Sequence, residues 1–112
     1  MEGLDKIPAP LLEKSWTVPE FGGGDRVWPI DLVGQVIESL ANQDVAILGG
    51  DVWEVLDGRA RPTHDSWYCN RNAGETFEAF ARRTVPAARE YVEEYGARAG
   101  RILLVSLVLK TD

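Results

Sequence analysis

Apolar side chains between residues 29 and 41 recur every three or four positions, which is the spacing of one face of an α-helix. Asn42 can end this helix, because asparagine tolerates the left-handed backbone conformation that follows many helices. Gly34 weakens a helix by about 1 kcal/mol relative to alanine, and its presence therefore indicates close packing against another backbone. The pattern predicts a core helix whose apolar positions are Ile30, Val33, Val36, Ile37, Leu40 and Ala41.

A second and longer helix is predicted after residue 72. Asn72 and Glu75 have the spacing of a capping box, in which each side chain accepts a hydrogen bond from the backbone N–H of the other residue. Pro86 lacks an N–H group and its ring clashes with the preceding turn, so a kink or a break is predicted just before it. Gly96 can end the helix. The apolar positions of this segment are Phe77, Phe80, Ala81, Val85, Ala88, Val92 and Tyr95.

Three strands are predicted between these helices. Residues 45–48 are wholly apolar, which is typical of a central strand buried on both faces. Residues 51–56 and 59–63 flank Asp57 and Gly58, a pair that fits a type I′ hairpin because both turn positions require positive φ. The pair Gly49-Gly50 allows a bulge or a tight bend between the first two strands.

The rest of the chain completes a prediction of one domain over residues 1–112. A short helix is expected at residues 11–15, a flexible connection at residues 21–25 with their three glycines, and a final strand inside the sheet at residues 102–109. A chain of 112 residues is of the usual size for a single domain. The predicted fold class is α+β: a small, mostly antiparallel sheet of about four strands, with two main helices packed on one face.

Charge and hydropathy narrow the classes of partner. The formal net charge is −6, and residues 1–56 contain ten acidic and three basic residues. This balance argues against direct binding to nucleic acid or to an anionic membrane, because phosphate contacts need clustered lysine and arginine. It suits a basic partner, although surplus acid also simply keeps a protein in solution. No apolar run approaches the ~20 residues that span a bilayer, and the N-terminus lacks a secretory signal pattern, so a cytoplasmic protein is expected.

The candidate catalytic residues form no recognisable motif. His64 and Asp65 are adjacent and Cys69 is near them, but a nucleophile needs a base within hydrogen-bond reach, and no local signature such as Gly-x-Ser-x-Gly is present. A hydrolase that uses His64 and Asp65 therefore stays an alternative only. One imidazole and one thiol provide no metal-ligand spacing, and the glycine pairs are not followed by Lys-Ser/Thr as in a phosphate loop. We expect no metal and no cofactor.

Aromatic side chains are the more promising group, because tryptophan and tyrosine are enriched at binding hot spots. On an alternating strand Trp53 shares a face with Asp51 and Val55, which predicts an indole near a carboxylate that reaches solvent. The other three tryptophans are expected in the core: Trp16, Trp28 and Trp67. The predicted partner-binding surface consists of Asp51, Trp53, Glu54, Asp65 and Tyr68.

Several segments of the chain resemble one protein family. They are residues 11–16 (LLEKSW), residues 45–53 (VAILGGDVW), the turn at Asp57-Gly58, residues 65–69 (DSWYC) and residues 88–92 (AREYV). Together they resemble immunity protein family 40 of bacterial polymorphic toxin systems, and the most specific of these segments are residues 47–52 with residues 67–69. The Gly22-Gly23-Gly24 stretch and Pro86 depart from the family pattern.

The resemblance implies a cytoplasmic antidote that blocks a cognate toxin by one-to-one binding and turns over no substrate, and hence a protein that is not an enzyme. A basic toxin, such as a nuclease, would suit an acidic inhibitor, which gains association rate by electrostatic steering and imitates phosphate groups. A small-ligand-binding or regulatory domain is the other alternative. Homodimerisation through an edge strand stays open.

Overall fold

The computed structural model describes residues 3–17, 26–96 and 100–112. In these residues a short 3₁₀ helix, Leu4–Lys6, precedes three α-helices and five strands. The helices are α1 (Ala9–Glu13), α2 (Ile30–Ser39) and α3 (Phe77–Gly96). The strands are β1 (Trp16–Thr17), β2 (Arg26–Pro29), β3 (Val45–Leu56), β4 (Arg59–Tyr68) and β5 (Leu103–Thr111).

All five strands belong to one sheet of order β1-β2-β5-β3-β4, in which every neighbouring pair is antiparallel. The predicted α+β class is confirmed, with one strand more than expected. β5, the last strand in sequence, lies inside the sheet between β2 and β3 as the apolar run had predicted. The predicted flexible connection at residues 21–25 lies outside the described residues.

β3 is a single strand of twelve residues and joins the two strands predicted at residues 45–48 and 51–56. The two glycines therefore form no bend. Instead, the register between β3 and β5 shifts between Ile47 and Gly49, which marks a bulge. The strand stays continuous because β5 pairs with it on both sides of the bulge. β4 also extends further than predicted and ends at Tyr68.

The β3–β4 hairpin turns at Asp57 and Gly58 as predicted. Their φ values are 53° and 75°, so both turn residues occupy the left-handed region that a type I′ turn requires. Leu56 pairs with Arg59 on either side of the turn. The sequence signal was sufficient here because the turn depends on two adjacent residues only.

The two main helices differ from the predictions in detail. Asn42 has the expected positive φ of 65° after α2. Gly34, however, has no atom beyond its two chain neighbours and its own helix backbone within 4 Å of the position that a β-carbon would occupy, so the predicted close packing against another backbone is wrong. The apolar positions of α2 that are buried are Val33, Val36 and Ile37, and Gly34 lies beside this face rather than on it.

The sequence predicted a kink or a break before Pro86. α3 runs through Pro86 as one helix, so the break is wrong, and the kink stays a prediction. Eight of its residues are buried, and we attribute the continuity to this burial, which outweighs a proline cost of about 3 kcal/mol. The capping box is also not formed as predicted: Glu75 accepts the Asn72 N–H at 2.9 Å, but the helix begins at Phe77. Its cap is Thr76, whose hydroxyl accepts the Ala79 N–H at 3.1 Å.

Both α2 and α3 pack on the same face of the sheet and enclose the main core. Its members from these elements are Val33, Val36 and Ile37 of α2, Val85, Ala88 and Val92 of α3, and Val105, Leu107 and Leu109 of β5. Trp28, predicted to be a core residue, is fully buried there and donates its indole N–H to the Leu11 carbonyl at 2.9 Å. We call the opposite side of the sheet the helix-free face: α2 and most of α3 lie on the other side, and only the start of α3 reaches it, where Phe77 and Phe80 pack against Ala46 and Leu48 at one end of β3. In the described residues, no helix combines the length and the apolar character needed to cross a membrane.

Candidate functional site

Asp51 lies on the helix-free face. Its neighbour Val52 packs against Tyr95 and Leu103 beneath α3, and adjacent residues of a strand point to opposite faces. Across the strands, Asp51 faces Ser66 of β4 and Ser106 of β5. The residue is exposed, so its carboxylate reaches solvent as the sequence analysis predicted.

Trp53 lies on the same face but is buried. Only 8% of the residue is exposed, and it packs against Val27 and Leu104. Its indole N–H donates to the hydroxyl of Ser106 at 3.2 Å. The expectation of an exposed indole is therefore wrong, because β2 and β5 bring apolar side chains around it that the local pattern of β3 could not reveal. Direct contact between Trp53 and a partner stays a prediction.

Tyr68 and Val108 form an exposed apolar pair on the helix-free face, with exposed fractions of 69% and 47%. Both lie opposite Gly49 in the register, one on β4 and the other on β5. A β-carbon on Gly49 would lie 3.1 Å from the carbonyl carbon of Trp67 and closer to its oxygen. The strand geometry therefore requires glycine at position 49, and no side chain lies between Tyr68 and Val108.

Glu54 does not join Asp51 and Tyr68. Its carboxylate forms a two-pronged ion pair with Arg101, at 2.6 Å between Oε2 and Nε and 3.1 Å between Oε1 and Nη2. The hydrogen bond from Arg101 lowers the pKa of Glu54. This pair connects β3 to the residues that lead into β5, which is a structural role that the sequence did not indicate.

Asp65 lies on the helix side of the sheet. Its Oδ2 accepts the hydroxyl proton of Tyr95 at 2.6 Å. Nearby, the rings of Trp67, Tyr91 and Tyr95 are stacked, with centroid distances of 4.8 Å and 6.0 Å between successive rings. The structure thus brings Asp51 and Tyr68 to one face, with Trp53 beneath that face, and places Glu54 and Asp65 elsewhere.

The remaining tryptophans only partly follow the predictions. Trp67 is half-buried against the main core, and its indole Nε1 has no hydrogen-bond partner among the described residues. Trp16, which was expected in the core, is 51% exposed. It pairs with Val27 at the edge of the sheet and therefore adds a second exposed aromatic ring to the helix-free face.

The candidate catalytic residues do not converge. His64 is exposed, whereas Asp65 points toward Tyr95 on the helix side. Cys69 packs against the cluster that contains Phe77, and four residues of extended chain separate it from Asp65 by about 13 Å. That separation exceeds the reach of a hydrogen bond. In residues 3–17, 26–96 and 100–112, no group of three or more His, Cys, Asp or Glu side chains could hold a metal ion.

A pocket that the sequence did not predict opens beside Tyr68. It measures about 200 Å³ and combines an apolar floor with two cationic side chains, Arg71 and Lys110. Its other lining residues are Leu48, Tyr68, Cys69, Asn70, Phe77 and Phe80. Because β3, β5, α3 and the segment before α3 all contribute to the pocket, no local pattern could have predicted it.

The comparisons with known proteins give one result. The chain matches the sequence model of a family described as Immunity protein 40 over residues 18–109. This span includes α2, α3 and the positions of Asp51, Tyr68 and Val108. No curated protein and no solved structure matches the chain significantly.

Proposed function

Because the chain belongs to the immunity protein 40 family, we propose that it protects the cell that produces it by binding a cognate toxin of a polymorphic or contact-dependent toxin system. The family match over residues 18–109 carries this proposal. The complex forms in the cytoplasm, where the antidote meets a toxin that enters from a neighbouring cell or escapes its own secretion.

Neutralisation is by stoichiometric binding, and the protein performs no catalysis. The dispersed positions of His64, Asp65 and Cys69 support this mechanism over hydrolysis. The exposed aromatic side chains Trp16 and Tyr68 support it as well, because such side chains contribute much of the affinity at protein interfaces. The proposed contacts remain Asp51, Trp53, Glu54, Asp65 and Tyr68.

A basic toxin, such as a nuclease, suits the net charge of −6. Opposite net charges raise the association rate and make it fall with salt. A toxin that binds phosphate also presents cationic groups, and carboxylates of the inhibitor can bind these groups in place of the nucleic acid.

The test is co-expression with the toxin domain encoded beside this gene, followed by purification of the complex. We expect co-expression of this protein to restore growth of a bacterial host that the toxin alone kills. The two proteins should elute together in size-exclusion chromatography, and light scattering should give the mass of a one-to-one complex. An inactive variant of the same toxin domain serves as the control for expression load. Toxin that still kills cells expressing both proteins, with no complex recovered, would refute the proposal.

The rival role as a small-ligand-binding domain has less support. Two pockets among the described residues measure about 260 Å³ and 200 Å³, below the roughly 300–1,000 Å³ of typical ligand sites. A thermal-shift screen with cellular metabolites tests this rival. Stabilisation by a metabolite, with none by the toxin domain, would favour it.

A further inference from the structure

One surface on the helix-free face combines two opposite charges with an apolar centre. We call it the sheet patch and define it by Asp51, Ser66, Tyr68, Val108 and Lys110. Along β5, residues 106, 108 and 110 point to this face, because residues 105, 107 and 109 pack in the main core on the other side. Asp51 faces residue 106 and Tyr68 lies in the row of Val108.

The two charges of the sheet patch do not neutralise each other. Asp51 and Lys110 are both exposed, and neither forms an ion pair within the described parts of the chain. The row of Asp51 and the row of Lys110 are four residues apart along β5, a distance of about 13 Å. Arg71 adds a second positive charge at the Lys110 end, where it lines the pocket.

Between the charges lies a surface suited to an apolar anchor. Tyr68 and Val108 are exposed on either side of Gly49, which has no side chain to separate them. Leu48, Phe77 and Phe80 contribute apolar side chains to the lining of the adjoining pocket of about 200 Å³, and this volume accommodates one large side chain. Hot spots have this composition: an aromatic residue beside a pocket, surrounded by polar groups that exclude water.

We propose that the toxin docks on the sheet patch, with one apolar side chain in the pocket, a basic residue opposite Asp51 and an acidic residue opposite Lys110. This inference rests on the proposed function and specifies its interface. The two fixed charges set the orientation of the toxin, since like charges across an interface oppose the reversed arrangement. The outer surfaces of α2 and α3 take no part.

A second copy of the chain, turned by a two-fold axis, would also place Asp51 opposite Lys110. Each copy, however, carries a net charge of −6, and this charge opposes self-association while it attracts a basic toxin. We therefore assign the sheet patch to the toxin, and self-association is an outcome of the experiment that would overturn the assignment.

The experiment measures the affinity of an inactive variant of the toxin domain encoded beside this gene, by calorimetric titration at about 0.15 M salt. Asp51→Lys, Lys110→Glu and Tyr68→Ala should each weaken binding by about thirtyfold, the effect of losing a hot-spot contact. Two matched controls repeat the charge changes at exposed positions away from the patch: Glu93→Lys on α3 and Lys14→Glu after α1. They should change the dissociation constant by less than about threefold.

The outcomes distinguish a wrong docking surface from a wrong proposed function. Wild-type affinity in all three patch variants would overturn the inference while the antidote role stands, and loss of binding in Glu93→Lys would then place the toxin on the outer surface of α3. A wild-type protein that binds no toxin would refute the proposed function itself. A concentration-dependent dimer that the patch variants abolish would assign the surface to self-association. Unchanged urea midpoints in the variants would exclude misfolding as the cause of weakened binding.

Discussion

The indole ring of Trp67 packs against the backbone of Gly50 on the helix side of the sheet. The two residues are cross-strand partners in β4 and β3. A β-carbon on Gly50 would lie 2.7 Å from Cζ3 of Trp67, and closer still to Cη2 and to the Ser106 carbonyl oxygen. Any larger residue at position 50 must therefore displace both the ring and the neighbouring strand β5.

Gly50→Ala should lower the free energy of unfolding by about 3 kcal/mol, because overpacking against backbone atoms cannot be relieved by a rotamer change. Urea denaturation measures the effect. Gly34→Ala makes the same chemical change at a position where nothing beyond the neighbouring residues and the helix's own backbone lies within 4 Å, and it should raise stability by up to about 1 kcal/mol through helix propensity. If the two variants were equally stable, the packing of Trp67 on Gly50 would be disproved.

Thr84 connects α3 to the sheet. Its side chain is fully buried, and the hydroxyl accepts the Ile47 N–H at 2.9 Å while it donates to the Ala81 carbonyl at 2.7 Å. Ile47 precedes the part of β3 that pairs with β4, so this hydroxyl replaces the missing strand partner of its N–H group. α3 thereby closes an edge of β3 that would otherwise carry a buried unpaired donor.

Thr84→Val keeps the shape of the side chain but leaves the Ile47 N–H without an acceptor, and it should cost about 2–3 kcal/mol of stability. Thr84→Ser keeps the hydroxyl and loses one methyl group, at about 1 kcal/mol. Chemical denaturation compares the two variants. Amide hydrogen exchange at Ile47 gives a second readout and should accelerate in Thr84→Val only. A Thr84→Val variant that is more stable than Thr84→Ser would show that volume, not the hydrogen bond, matters at this site.

Protonation of Glu75 should lower the stability of the folded protein in acid. The Arg83 side chain hydrogen-bonds to the carboxylate and, together with the Asn72 N–H, lowers its pKa from 4.5 to about 2. Because the pKa is lower in the folded state, the contribution of Glu75 to stability is complete above pH 4.5 and is lost as the pH falls toward 2. Glu75→Gln should therefore be less stable than the wild type at pH 7.

The difference between Glu75→Gln and the wild type should shrink progressively between pH 4.5 and pH 2. Urea midpoints measured across this range provide the test. Glu93→Gln, on the exposed surface of the same helix, controls for the removal of one negative charge. A difference that stays constant as the pH falls through this window would contradict the assigned role of the Glu75–Arg83 pair.

Pro86 lies inside α3 on its exposed side. Its missing N–H removes one hydrogen bond from the helix, and proline is unfavourable in a helix interior by about 3 kcal/mol relative to alanine. Pro86→Ala should raise the free energy of unfolding by about 1–2 kcal/mol, since proline recovers part of its cost by restricting the unfolded chain. Urea denaturation checks this prediction, and a less stable variant would show that α3 depends on the proline.

The local elements were predictable because their causes are local. The spacing of apolar positions in α2 and α3 reflects the helix period, and the Asp57-Gly58 turn depends on the φ values of two adjacent residues. The predictions failed where long-range neighbours decide. Trp53 is buried because Val27 and Leu104 surround it, and Trp16 is exposed because it lies at the edge of the sheet.

The candidate site was likewise predictable only where its residues are related by local strand alternation. The sequence predicted that Asp51 and Tyr68 would belong to one surface, and alternation along β3 and β4 places them there. It could not predict that Asp65 would bind Tyr95, that Glu54 would pair with Arg101, or that Lys110 would lie on the face of Asp51. Each of these relationships joins residues at least 30 positions apart in the chain.

By itself the sequence determined the helices, the hairpin, the acidic net charge and the family resemblance, since these depend on composition, short-range periodicity and matched segments. The tertiary structure alone decided which side chains share a face and which remain exposed. The physical reason is the insertion of β5 between β2 and β3: this pairing of distant segments merges two predicted strands, encloses Trp53, and sets the charges of Asp51 and Lys110 on one surface.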